Sequence, residues 1–153
     1  MFGYANELCG EHGFGWAKRL LLVHPMLSKP NADPQSKAFS SYIGEKYGYN
    51  REEAEAASAR CAEILRFLGR RLEQQRAKGS QFFIGNQLSA LDIYWAAFAA
   101  LIQPLPQELC PMPQSFRKMY TNTDPMIQAA ATPMLFEHRD FIYRNYLELP
   151  VDL

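Results

Sequence analysis

Between Ile93 and Ile102 the chain runs without a charged side chain. The stretch Ile-Tyr-Trp-Ala-Ala-Phe-Ala-Ala-Leu-Ile contains no glycine or proline. A helix that is apolar on every face has to be surrounded by other elements, so the rest of the fold must wrap around it. It is about half the length needed to cross a bilayer, which makes it a core helix rather than a membrane span. Its start is written just upstream. In Ser89-Ala90-Leu91-Asp92, Ser89 is placed to accept from the amide of residue 92. Asp92 is placed to reach back to the amide of Ser89, giving a capping box with aspartate in the usual glutamate position. Leu88 and Ile93 stand at hydrophobic-staple spacing around it.

The neighbouring segments supply the wrap. Asn50 with Glu53 three residues on predicts a capped helix start. From there Ala54, Ala57, Cys61, Ile64, Leu68 and Leu72 recur at helical spacing. Glu52 and Glu53 at the start, and Arg70, Arg71, Arg76 and Lys78 near the end, suit the helix dipole. Gly79 is the stop. Upstream, Cys9, Gly13, Trp16, Leu20, Val23 and Leu27 predict one helix over 2–27. Gly10, Gly13 and Gly15 each cost about 1 kcal/mol there relative to alanine. They mark close packing, a kink or a face kept open. Pro25 and Pro30 bring the chain out. Asp33-Pro34 restarts a helix, Phe39, Ile43 and Tyr47 give its apolar face, and Gly48 ends it. Downstream, Pro104, Pro106, Pro111 and Pro113 impose an irregular segment. Short helices are expected at Gln114–Tyr120 and from Asp124-Pro125. A last one runs from Thr132-Pro133 to about Leu147, with Leu135, Phe136, Phe141 or Ile142, and Tyr146 inward. No segment alternates with period two, so residues 1–153 read as a single all-α domain of six or seven helices.

Composition narrows the function classes. Hydrophobic residues make up 48% and charged residues 21% of the chain, the balance of a packed domain rather than a disordered tail. Lys plus Arg (16) equals Asp plus Glu (16), which leaves no excess cation to neutralise a phosphate backbone. A nucleic-acid partner is therefore not expected. Cys9, Cys61 and Cys110 are odd in number and widely spaced, as suits reduced thiols of a cytoplasmic protein better than disulfides or a zinc site. The N-terminus has no signal-peptide pattern, and no membrane attachment is expected.

Residues 82–93, Phe-Phe-Ile-Gly-Asn-Gln-Leu-Ser-Ala-Leu-Asp-Ile, resemble the "F-L-x-G-(D/N)-x-(L/F)-(S/T)-x-A-D-(I/L)" segment of glutathione S-transferase C-terminal domains. Leu91 stands where that family usually has alanine. The order of helices agrees along nearly the whole chain: a long charged amphipathic helix, the motif, an apolar helix, a proline-rich bend, then short helices. The resemblance implies the family's multi-helix orthogonal bundle. It also implies a role in glutathione conjugation, in which this half shapes the hydrophobic substrate pocket and subunit contacts. In the family a thioredoxin-like domain carries the catalytic residue and holds glutathione, and residues 1–30 do not read as its β-α-β pattern. The chain alone is therefore expected to bind no cofactor and to be inactive. Glutathione enters as co-substrate only when a thioredoxin-like domain is supplied in cis or in trans. The uncapped start at Met1 is read as a truncation, and an exposed apolar face is expected to drive homodimerisation or other self-association.

Residue by residue, the chemistry is sparse. Ser89 and Asp92 are expected to cap a helix, since a serine and an acid without a nearby histidine make no hydrolytic triad. Cys9 and His12, three apart, either form a reactive thiol–imidazole pair or belong to the packing. Glu7-Leu8-Cys9 resembles a Glu-Leu-His stretch bordering the substrate cleft in some bacterial transferases. On that resemblance the cleft-lining candidates are Cys9, Gly13, Phe14 and Trp16. His24, His138 and Asp140 are too scattered for a metal site. His138-Arg139-Asp140 is expected on a solvated or tail-anchoring face. Two further readings stand beside the transferase one: a non-catalytic interaction or assembly module, and an independent small-ligand binder.

Overall fold

The computed structural model describes residues 2–31 and 34–151. Among them are eight α-helices: α1 (Phe2–Cys9), α2 (Phe14–Leu27), α3 (Pro34–Lys46), α4 (Arg51–Arg76), α5 (Ala90–Phe98), α6 (Gln114–Tyr120), α7 (Pro125–Ala130) and α8 (Pro133–Tyr146). A 3-10 turn, Ala99–Leu101, prolongs α5, and no strand occurs among the described residues. No helix is long and apolar enough to cross a membrane.

The post of the fold is α4. The Asn50 side chain accepts from the Glu53 amide at 2.8 Å and starts it. Ala54, Ala57, Cys61, Ile64, Leu68 and Leu72 are all buried, as their spacing predicts. Glu53 does not close the box; its carboxylate lies 3.3 Å from His12 Nδ1 instead. Helices α2, α7 and α8 pack on α4, while α5 lies between α1 and α8. Trp95, fully buried on α5, donates its indole N–H to the Leu135 carbonyl of α8 at 2.8 Å.

The helix expected over 2–27 is broken, which is why eight helices stand where six or seven are predicted. His12 adopts a left-handed φ of 59°, and the chain turns between Gly10 and Gly13. A Cβ on Gly13 would stand 2.7 Å from the Asn6 carbonyl oxygen, so the turn requires glycine there. Arg60 braces it, with Nε donating to the His12 carbonyl (3.2 Å) and Nη2 to Glu7 (2.6 Å). The break resets the helical phase. Leu8, Phe14, Ala17, Leu20 and Val23 are buried, and Cys9, expected on the inner stripe, is exposed. Pro25 lies inside α2 rather than ending it, within its last turn, where the helix continues to Leu27. The Asp33 cap expected for α3 falls outside the described residues.

Two further expectations are corrected. Helix α5, whose charge-free part starts at Ile93, is not enclosed all round: Leu91, Trp95 and Ala96 are buried, but Ile93, Tyr94 and Ala97 face outward. With α1 and α8 as its main neighbours, one side remains uncovered. On α8, Leu135, His138, Arg139 and Ile142 make the buried face, and Tyr146 is exposed. The pattern 135, 138, 139, 142 is an ordinary i, i+3, i+4, i+7 stripe, so His138 and Arg139 belong to the interior and not to a solvated face.

The proline-rich segment is tied down by Arg117. Its guanidinium donates to the Leu105 carbonyl (2.8 Å), the Cys110 carbonyl (2.9 Å) and the Gln107 side chain (2.9 Å). Leu105, Cys110 and Met112 form a small second core there, against which Leu149 and Val151 pack.

Candidate functional site

Two places gather polar chemistry: a buried carboxylate at the start of α5, and an open groove between α2, α3 and the α6–α7 loop. The first begins with the connection 80–88. Arg71 and Gln75 near the end of α4 hold it by its carbonyls, at Phe83 (2.8 Å), Phe82 (3.0 Å) and Gly85 (2.8 Å). Gly85 turns with φ 62°. This delivers the Phe83 amide to Asp92 Oδ1 at 2.9 Å. The Ser89 amide (2.8 Å) and hydroxyl (2.5 Å) both donate to Asp92 Oδ2. From α8, His138 Nε2 lies 2.9 Å from Oδ1. Asp92 is fully buried and His138 is 1% exposed.

Burial pushes the Asp92 carboxyl up, but the hydrogen bonds from His138, the Phe83 amide and Ser89 outweigh it, leaving it below its ordinary value. An ionised carboxylate only accepts, so the proton between the two side chains sits on His138 Nε2. The expectation that no histidine approaches Ser89 and Asp92 is thus overturned. The order of the groups still excludes a hydrolytic triad. There the imidazole stands between hydroxyl and acid, whereas here the acid stands between hydroxyl and imidazole. Ser89 meets only a carboxylate held below its ordinary pKa, a poor base for a hydroxyl proton, and the cluster is a structural clasp joining the 80–88 connection, α5 and α8.

The groove encloses about 540 Å³, within the usual range for small-molecule sites. Leu21, Leu22, Pro25, Ile43, Leu101 and Met119 give it apolar walls. Lys18, Arg19 and Lys46 bring three cations to it, and Asn122 a side-chain amide. Lys18 Nζ donates to Asn122 Oδ1 at 3.0 Å, and burial lowers its pKa. The Arg19 guanidinium lies 4.8 Å from the centre of the Tyr47 ring, and Lys46 Nζ lies 5.9 Å from it. Asp124 also borders the groove, but its carboxylate is spent on the start of α7. It accepts from the amides of Met126 (2.8 Å) and Ile127 (3.1 Å) and from the Ser58 hydroxyl.

Of the four cleft candidates, none borders this groove. Phe14 is fully buried, edge-on to Trp95 with ring centres 6.3 Å apart. Gly13 is buried in the turn, Cys9 is exposed at the end of α1, and Trp16 is half-buried against the Tyr47 ring at 5.2 Å. Desolvation raises the Cys9 thiol above its ordinary value, and His12 faces Glu53 and Glu11. That arrangement opposes a reactive thiolate. His24 Nδ1 meets the Tyr49 hydroxyl (3.0 Å), and Asp140 pairs with Arg139 (2.8 Å), so the three scattered candidates each have separate partners. Among the described residues no three His, Cys, Asp or Glu side chains cluster to hold a metal ion.

A shallower depression of about 460 Å³ lies on α1 and α4. The Tyr4 and Phe67 rings stack there at 5.1 Å, beside Glu7, Arg60, Glu63 and Arg70. No protein-family model, curated protein or solved structure matches the chain.

Proposed function

We propose that this chain is a helical domain of the glutathione S-transferase C-terminal type, whose work is to bind an apolar acceptor molecule and to make subunit contacts. What carries the proposal is the segment that bears the resemblance. Residues 82–92 fold into a tied connection and an acid-capped start to the central helix, with Asp92 buried at the junction. The groove beside α2 supplies apolar walls and orienting polar groups. The uncovered side of α5, with Ile93, Tyr94 and Ala97, supports the packing of a further folded unit, such as a thioredoxin-like domain in cis or in trans. In this division of labour that unit holds glutathione and activates its thiol.

Calorimetric titration of the chain with a neutral aromatic electrophile, 1-chloro-2,4-dinitrobenzene, and separately with glutathione, tests the proposal. Saturable binding of the aromatic and no heat from glutathione are expected. Micromolar glutathione binding overturns the division of labour, and no aromatic binding overturns the acceptor role.

The stacked Tyr4–Phe67 face favours a second, non-exclusive role as an interaction module. A surface carrying both carboxylates and guanidinium groups around an apolar centre is self-complementary across a two-fold axis, which suits a homodimer. A strictly monomeric species in light scattering at high concentration refutes it.

A further inference from the structure

The groove's charge says more about its ligand than its apolar walls do. Lys18, Arg19 and Lys46 all line it. Among the described residues none of them lies in an ion pair with a carboxylate. The one acid at the rim, Asp124, is saturated by two backbone amides and the Ser58 hydroxyl. Those neutral donors leave its negative charge in place, but one charge offsets at most one of the three cations, so the groove keeps an excess of positive charge. Arg19 is held in place by its own bond to the Gly15 carbonyl (2.8 Å) and by the Tyr47 and Phe98 rings, at 4.8 and 5.9 Å. That bond comes from Nη1 and leaves the rest of its planar fork of donors for other acceptors. Lys18 is held by Asn122. Two of the three cations are therefore positioned before any ligand arrives, and positioned charge loses little entropy on binding.

We propose that the groove takes a small organic anion, an aromatic or short aliphatic body bearing a carboxylate or sulfonate, with the body on the Leu21, Leu22, Ile43 and Leu101 wall and the anion facing Arg19, Lys18 and Lys46. The proposal rests on the acceptor-groove reading above and names the ligand class of that site. An apolar body without the anion leaves three cations facing low-dielectric walls with only Asp124 to offset them. An anion without the body forgoes the burial of apolar surface. A ligand with both satisfies the whole lining.

The test compares two probes of nearly equal shape, 2-naphthoate and 2-naphthamide, titrated into the full chain by calorimetry at low and moderate salt. Naphthoate is expected to bind about tenfold more tightly than naphthamide at low salt, with the advantage shrinking as salt screens the charges. Lys46 is exposed, so Lys46→Gln keeps the fold, as unchanged thermal unfolding verifies. It is expected to weaken naphthoate several-fold and leave naphthamide unchanged; Arg19→Gln is expected to do so more strongly. Equal affinity for the two probes, or a naphthoate affinity indifferent to both substitutions, overturns the anion inference while leaving the acceptor groove standing. Binding of neither probe overturns both.

Discussion

Removing the Asp92 carboxylate strips four donors of their acceptor at once: the Phe83 and Ser89 amides, the Ser89 hydroxyl and His138 Nε2. Ser89 is partly exposed, so its groups regain water, and that part of the loss resembles an ordinary N-cap deletion of about 1 kcal/mol. The Phe83 amide and the His138 ring belong to residues that are 0% and 1% exposed. Each is left unsatisfied in the interior, at about 1–3 kcal/mol apiece. Asp92→Ala is therefore expected to cost about 4 kcal/mol, on the order of 10 °C in melting temperature for a domain of this size. Asp92→Asn retains one acceptor oxygen for Phe83 and His138, and the Ser89 hydroxyl can rotate to accept from its amide group, so a smaller loss is expected.

The pH dependence separates this mechanism from simple loss of packing. The folded-state pKa of Asp92 lies below its unfolded value. Its contribution is thus fully present above the unfolded carboxylate pKa of about 4 and is lost as pH falls through the folded value. Denaturant titrations from pH 7 to pH 3 are expected to show the gap between wild type and Asp92→Ala narrowing below about pH 4. A melting temperature within a degree of wild type refutes the clasp. A gap constant down to pH 3 refutes the charged part of it.

Asp124 accepts from two α7 amides, whereas Thr132 makes no side-chain cap bond to α8 and its buried Oγ1 has no hydrogen-bond partner. Asp124→Ala is expected to cost about 1 kcal/mol or more and Thr132→Ala almost nothing in chemical denaturation; equal losses contradict the assignment. Burial pushes the Cys61 thiol up to about 12 and also raises the exposed Cys9 thiol. With 5,5′-dithiobis(2-nitrobenzoate) at pH 8, Cys61 is expected to react only on unfolding and Cys9 no faster than a free thiol; a fast-reacting Cys9 restores the thiol–imidazole pair.

The parts of the fold legible in the sequence are those where one segment carries its own signal. In α4 the cap, the stripe and the stop all lie within thirty or so residues and answer to one helical period. The stops at Gly48 and Gly79, each with positive φ, and the α7 start at Asp124 are likewise local. What stayed hidden depends on distance. His138 reads as polar and therefore outer until Asp92, forty-six positions away, is seen to hold it. The break at His12 needs the bracing Arg60 from α4, forty-eight positions on. The groove draws on residues 18–25, 39–47 and 119–124 together, and no single period or motif spans those three pieces.

Helix α3 has α2 as its main neighbour, and Phe39 and Tyr42 on it are more than half exposed. An element anchored on one side opens at a lower free energy than the core, because swinging it out exposes little of the buried surface that holds the rest together. Its amides should therefore exchange with solvent through a sub-global opening, well before those of α4 and α5. Since Phe39, Ile43, Lys46 and Tyr47 come from this helix and the turn after it, that opening also unroofs the groove. Whatever occupies the groove is then a brake on the motion: bound ligand slows exchange in α3 by a factor of one plus the ratio of free ligand concentration to Kd and leaves the α4 amides unmoved, so the helix becomes the reporter of a guest's presence.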